Sequence, residues 1–358
     1  MHSPSCLGRL LAAAALAGAV AVPALAQTSV AVEGIVDVFA GSMKNSGDAG
    51  RTGTLGSGGM STSFFGFKGV EDLGGGLRAS FALGAFFRAD GGQIGRFDGD
   101  TFWGRDANLS LAGDFGAITL GRSISPVTLP VFLFNPLGDS FTLSPLVLHK
   151  AVPTAAWADS FAGDTGWSNQ IRYSTPSFGG LTANLSYQLG EDAGNIGKNN
   201  VGANVLYFNG PLALTAAYHR VEVNNPFDGT AGASTVKTIP GTGVAATGQK
   251  LWMIGGAYDF KAVKLYATYD QSRHDVSLKD KTVSLGLSAP FGAGAILAGV
   301  AETRRTSAAF DDRKRRTASI GYDYNLSPRT DLYAFVMNDK VTGFANATSY
   351  AAGLRHRF

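Results

Sequence analysis

The sequence predicts an all-β fold, a transmembrane antiparallel β-barrel of about 16 strands with its third external loop folded inward. Three observations lead there. Apolar and polar residues alternate in segments of strand length, the connections between segments are short and long by turns, and an export leader precedes a chain with no apolar run of helical span length.

The leader comes first. Arg9 supplies a positive start, Leu10 to Val22 is a short run of small and apolar residues, and Ala24, Leu25 and Ala26 form a small-residue cleavage site. Residues 1–26 therefore read as a signal peptide and 27–358 as one barrel domain. Cleavage removes Cys6, the only cysteine of the 358-residue chain, which leaves neither a disulfide framework nor a thiolate metal site. It also removes Arg9, lowering the formal net charge of +3 by one, a balance unlike the basic face that nucleic acid requires.

The alternation is clean in several segments. Leu181, Ala183, Leu185, Tyr187 and Leu189 oppose Thr182, Asn184, Ser186 and Gln188, giving one oily and one wet face. Strands are expected to begin near Val30, Ser61, Leu77, Phe102, Gly116 and Asn169. They continue near Leu181, Val201, Leu212, Leu251 and Lys264, and finally near Lys281, Ala295, Thr317, Leu332 and Ser349. Short connections such as Asp72 to Gly76 alternate with long ones, among them Gly41 to Met60, Ser272 to Asp280, Arg304 to Arg316 and Val341 to Thr348. A barrel with one rim in the periplasm and one outside has this asymmetry. Aromatic residues near segment ends, such as Phe102, Trp103, Tyr258 and Tyr350, suit interfacial girdles.

The longest interruption is residues 124–168. Pro126, Pro130, Pro136, Pro145 and Pro153 forbid a continuous ladder, whereas Phe132, Phe134, Phe141 and Leu143 are too apolar for disorder. This segment is expected to enter the lumen and narrow the pore.

Four stretches carry a family resemblance: Gly66 to Leu77, Gly104 to Arg122, Ile171 to Gly180, and Tyr350 to Phe358 with its terminal aromatic. Together they resemble the Gram-negative general diffusion porins. The resemblance implies a homotrimeric channel of the outer membrane for ions and small hydrophilic solutes, with acidic groups of the third loop facing basic residues of the wall. It implies wall arginines at Arg105 and Arg172, and an assembly signal at Tyr350 and Phe358 read by the assembly machinery. Phe64 stands where the family carries a further arginine, which implies weaker anion selectivity.

Strand parity assigns other charges to the pore. Arg78 and Arg88 oppose Leu77, Ala79 and Phe87; Lys68 opposes Phe65 and Phe67; Asp37 opposes Val36 and Val38. The basic side of the constriction is thus expected to draw on Arg105, Arg172, Arg78, Arg88 and Lys68, and the acidic side on Asp139, Asp159 and Asp37. Parity alone turns Arg105 outward with Ala107, Leu109 and Leu111, against the resemblance. The oily stretch Leu129 to Phe134 raises an alternative, a channel preferring less polar solutes or organic acids. The cluster from Arg304 to Arg316 is expected in a surface loop, able to meet lipopolysaccharide phosphates.

No catalytic constellation, cofactor motif or metal spacing is expected. His149, His219, His274 and His356 are scattered, and Gly74 to Gly76 precede no phosphate-binding helix. An outer-membrane hydrolase and an adhesive barrel are the remaining alternatives; neither has a motif in its favour.

Overall fold

The computed structural model describes residues 29–158, 160–162, 164–191, 199–222, 237–238, 245–246 and 248–358. Sixteen wall strands follow in chain order: β1 Ser29–Met43, β2 Phe64–Gly74, β3 Leu77–Arg88, β4 Asp106–Gly113, β5 Gly116–Ile124, β6 Gly166–Ser174, β7 Leu181–Leu189 and β8 Asn199–Asn209. The second half comprises β9 Leu212–Val221, β10 Gln249–Asp259, β11 Lys264–His274, β12 Leu278–Phe291, β13 Gly294–Ser307, β14 Arg313–Asn325, β15 Thr330–Val341 and β16 Ala347–Arg357. Each pairs antiparallel with its sequence neighbours. β1 pairs with β2 at its start and with β16 further along, so the sheet closes on itself and has no free edge. The seam ends on Phe358 and Gly34, which exchange two backbone hydrogen bonds of 3.1 Å. A Cβ on Gly34 would lie 2.4 Å from the Phe358 ring, so only glycine admits that ring there.

The surface is inverted relative to a water-soluble protein. Leu109, Leu120, Leu185, Ile254, Leu285 and Ile320 point outward and are exposed, forming the apolar band. All sixteen expected strands are present, most within a few residues of the expected start.

Three external loops are much shorter than the alternation suggested. Only 275–277 joins β11 to β12, 308–312 joins β13 to β14, and 342–346 joins β15 to β16. Here the pleat continues after the outward side chains change from apolar to basic, so Arg304, Arg305 and Arg313 to Arg316 are strand residues and not a surface loop. The first two external connections carry small strands of their own, Thr52–Ser57 on β1 and Gln93–Ile94 on β3.

The segment between β5 and β6 runs inside the barrel. It contains α1 Thr128–Leu133 and α2 Pro145–Ala151. Ser144 caps α2 by accepting from the Val147 N–H, Pro145 fills the first turn where no N–H is needed, and His149 and Lys150 sit at the negative end of the helix. The prolines that end a strand therefore start a helix. Its apolar side chains face the wall: Val127, Val131, Leu146 and Val147 pack with Ala217, Leu251 and Met253, and Leu137 and Leu143 pack with Leu297, Tyr333 and Phe335.

Candidate functional site

The inward loop divides the lumen into a dry wall and a wet one. On β9–β15 the inward side chains lie under the loop and are buried, from Thr215 and His219 through Asp270, Thr282, Thr303 and Arg315 to Asp339. On β2–β7 inward groups such as Lys68, Arg78, Asn108 and Arg172 keep access to solvent.

Buried charges pin the loop to the dry wall. Lys150 pairs with Asp270 and also donates to the Thr282 hydroxyl at 2.8 Å. His149 is held between the hydroxyls of Thr303 and Thr317, at 2.8 and 2.9 Å. Arg315 binds Asp339 at 2.9 Å and donates to the Leu148 carbonyl, and Asp280 binds Arg305 at 2.6 Å and accepts from Ser160. The loop's far end is clamped by Asp164 between Arg96 and Arg122. Burial alone would push the Asp164 carboxyl up, but the two guanidiniums outweigh it and hold its pKa at about 2. The opposite holds for His149: burial first, then Arg315, Lys150 and Arg305, keep it far below its ordinary value and neutral.

None of these was expected as an anchor: Arg305 and Arg315 were assigned to a surface loop, although they and Asp270 occupy inward parity on their strands. For Lys150 and His149, inside an aperiodic segment, no such signal existed.

At the wet side Arg105 lies in the lumen, with its guanidinium 3.8 Å from the centre of the Phe64 ring. Parity had turned it outward, on the expectation that the fourth strand began near Phe102. The strand begins at Asp106, so the alternation does not reach Arg105. Its Nε is 3.3 Å from the Asp106 carboxylate, which is also the acid within electrostatic reach of Arg172. Asp139, on the inward loop, accepts from the Ser61 hydroxyl at 3.0 Å and feels both Arg105 and Arg355; burial pushes its pKa up and these partners oppose the rise.

Other expected constriction residues stand elsewhere. Lys68 does face inward, but it pairs with Glu33 at 2.7 Å. Arg78 lies opposite Asp72 beside the short-turn rim, and Arg88 binds the exposed Asp98 beyond the other end of its strand. Asp37 is not a pore-facing acid. It is fully buried and accepts from the backbone N–H groups of Gly59, Met60 and Ser61 and from the Tyr333 hydroxyl, which fixes the first loop to the wall. Asp159 lies outside the described residues. Tyr350 and Phe358 are both exposed on the last strand and its end.

A closed barrel with an apolar exterior, a charged inner wall and a loop lying inside describes a channel, and comparison with known proteins agrees. The family model for Gram-negative porins matches residues 12–343. The chain belongs to the Gram-negative porin family. Outer membrane porin protein 32 of Delftia acidovorans is 31% identical over 97% of this chain and 94% of its own length. A solved anion-selective porin from Comamonas acidovorans superposes with a TM-score of 0.73 at 26% identity, covering 93% of this chain and all of that one. The in-vitro folded trimer form of OmpT from Vibrio cholerae, at 14% identity, shares the fold with a TM-score of 0.66 over 92% of this chain and 99% of that one.

This porin thus resides in the outer membrane and forms a water-filled channel for passive diffusion of ions and small hydrophilic solutes. Its relatives are channels and not enzymes. Opposed charges in a narrow wet bore order water and bias which ions cross.

Proposed function

We propose that this porin is a general diffusion channel with weak anion preference, narrowed by residues 124–168 and acting as a homotrimer without enzymatic activity. The carrying observation is the arrangement around Arg105. Two guanidiniums, Arg105 and Arg172, share one carboxylate, Asp106, while Asp139 is held by Ser61 and its ionisation is opposed by burial. The opening therefore bears a small positive excess. Phe64 offers Arg105 a π face where the family resemblance places an arginine, which keeps that excess small. The solved relative described as anion-selective supports the sign, and the trimeric neighbour of like fold supports the assembly. Tyr350 and Phe358 present the exposed aromatic end that the assembly machinery would take.

Planar-bilayer recording in a salt gradient tests this. Openings in groups of three and an anion-selective reversal potential are expected, with Arg105→Gln combined with Arg172→Gln moving the potential to or past zero. A cation-selective wild-type channel overturns the reading.

One further observation favours a second reading, a preference for organic acids with an apolar body. A cavity of about 470 Å³ on the inward loop is lined by Phe87, Phe97, Phe141 and Phe161 together with Arg88 and Arg96. Liposome swelling with benzoate and a polar anion of similar size separates the two readings. Faster benzoate entry, lost in Phe141→Ser, supports a preference; equal rates dispose of it.

A further inference from the structure

We propose that Gln249 positions the leg of the inward loop that returns to β6, and that the channel narrows when His274 beside it takes up a proton. The inference rests on the reading that residues 124–168 narrow the bore, and is independent of ion selectivity.

Closure of the barrel gathers side chains that are far apart along the chain. His219 on β9, Gln249 on β10 and His274 on β11 all point inward, and Gln249 stands directly across the ladder from His274. Gln249 is buried, its carboxamide lying between the two rings and the loop backbone. Its Oε1 accepts from the Ala162 N–H at 3.1 Å, and its Nε2 donates to the Ser160 carbonyl. A backbone N–H can only donate and a carbonyl can only accept, so these two contacts fix which end of the amide is oxygen.

The amide in turn fixes the rings. Oε1 also faces His219 Nε2 at 3.1 Å, which must carry a hydrogen, and Nε2 faces His274 Nε2 at 3.2 Å, which must be bare. His219 is buried, stacked on Trp167 and edge-on to Phe161, and its Nδ1 meets no hydrogen-bond partner among the described residues. A second N–H there would be buried unpaired, so His219 stays neutral. His274 is only half-buried and lines a cavity of about 340 Å³ at the long-loop rim with Ser277, Leu278 and Thr306, which opens its ring to the outside.

A proton on His274 Nε2 sets donor against donor. Turning the amide over removes that clash, but it sets oxygen against the Ser160 carbonyl and NH2 against the N–H groups of Ala162 and His219. The orientation that suits the charged ring therefore gives up both bonds to the loop. Ser160 is where the leg is fastened: its Oγ donates to Asp280 at 2.6 Å and its N–H to the His149 carbonyl at 3.0 Å. Loosened there, the leg moves into the bore. Asp280 on β12 lies within electrostatic reach of His274. Arg305 on β13 is engaged by Asp280 and Lys150 on the loop by Asp270. Asp275 follows His274 in the chain, and Arg220, Lys250, Arg273 and Lys279 stand on the outward side of the wall, where Glu222 pairs with Arg220.

Planar-bilayer recording at pH 8 and pH 5 tests the gate, since imidazoles titrate within that range. The wild-type channel should lose conductance reversibly at pH 5. His274→Gln, whose amide oxygen accepts from Gln249 at any pH, should conduct alike at both values, while His149→Gln should still lose conductance in acid. Gln249→Leu should show the acid behaviour at both. A spin label on Ala155→Cys, an exposed position of the loop, reports the leg itself. Its spectrum should sharpen at pH 5, and not when His274→Gln is added. Should Gln249→Leu not fold, the His274→Gln comparison decides alone. A label that stays immobile at pH 5, or a His274→Gln channel that still closes, overturns the proposal. A label that loosens with no loss of conductance overturns instead the reading that the loop narrows the bore.

Discussion

Lys150 on the inward loop and Asp270 on the wall form an ion pair in which each side chain is only 1% exposed. The pair is the point where α2 is fastened to β11. Lys150→Met leaves a buried carboxylate alone, which costs about 3–5 kcal/mol, whereas the combined Lys150→Met/Asp270→Leu change removes both charges and recovers most of it. The temperature at which the folded barrel loses its anomalous migration in detergent gels reports the difference. Single-channel traces of Lys150→Met should also become noisier, as the loop leaves the wall.

His149 makes the same anchorage sensitive to mild acid. The native imidazole is neutral and its pKa lies far below 6.5, the ordinary value it regains on unfolding. Stability from the neutral ring is therefore complete above pH 6.5 and declines as pH falls through 6.5 towards the depressed native pKa, because only the unfolded chain takes up the proton. Denaturant titrations at pH 8 and pH 5 should show this decline, and His149→Gln should flatten it.

Asp164 behaves differently. Its pKa of about 2 lies below the ordinary 3.8, so its contribution is full above pH 3.8 and is lost as pH falls through about 2. Asp164→Asn leaves Arg122 buried without a carboxylate, and the acid unfolding midpoint followed by circular dichroism should move to higher pH.

Gly286 on β12 sets how closely the loop tip approaches the wall. A Cβ there would lie 2.4 Å from Cδ of Pro136. Gly286→Val should push the tip into the bore at a cost of about 1–3 kcal/mol and reduce single-channel conductance. Gly53→Val, where a Cβ meets nothing within 4 Å, is the control and should conduct as wild type.

Much of this architecture could be read from alternation, because a barrel wall repeats every two residues and hides nothing. Leu181 to Leu189 was assigned correctly for that reason. The reading failed where the repeat stayed and its chemistry changed: the outward positions from Lys279 to Lys281 and from Arg304 to Lys314 turned basic, so strand was taken for loop. It failed again at Arg105, one residue before its strand, where parity has no meaning. Asp37 was placed inward correctly, but its burial depends on Gly59 to Ser61 folding back over it, a contact between segments that no local pattern encodes. Lys150 and His149 were missed for the same reason.

The bonds between Gly34 and Phe358 join the first and last strands of the barrel, and they form the last rung of the closing seam. The strands between them, β2 to β15, must all be in order before that rung can form, so a barrel lacking β16 leaves β1 and β15 each with an unpaired margin. Closure is consequently a latch between the two strands furthest apart in the order, and weakening it should open the wall at that seam before any other.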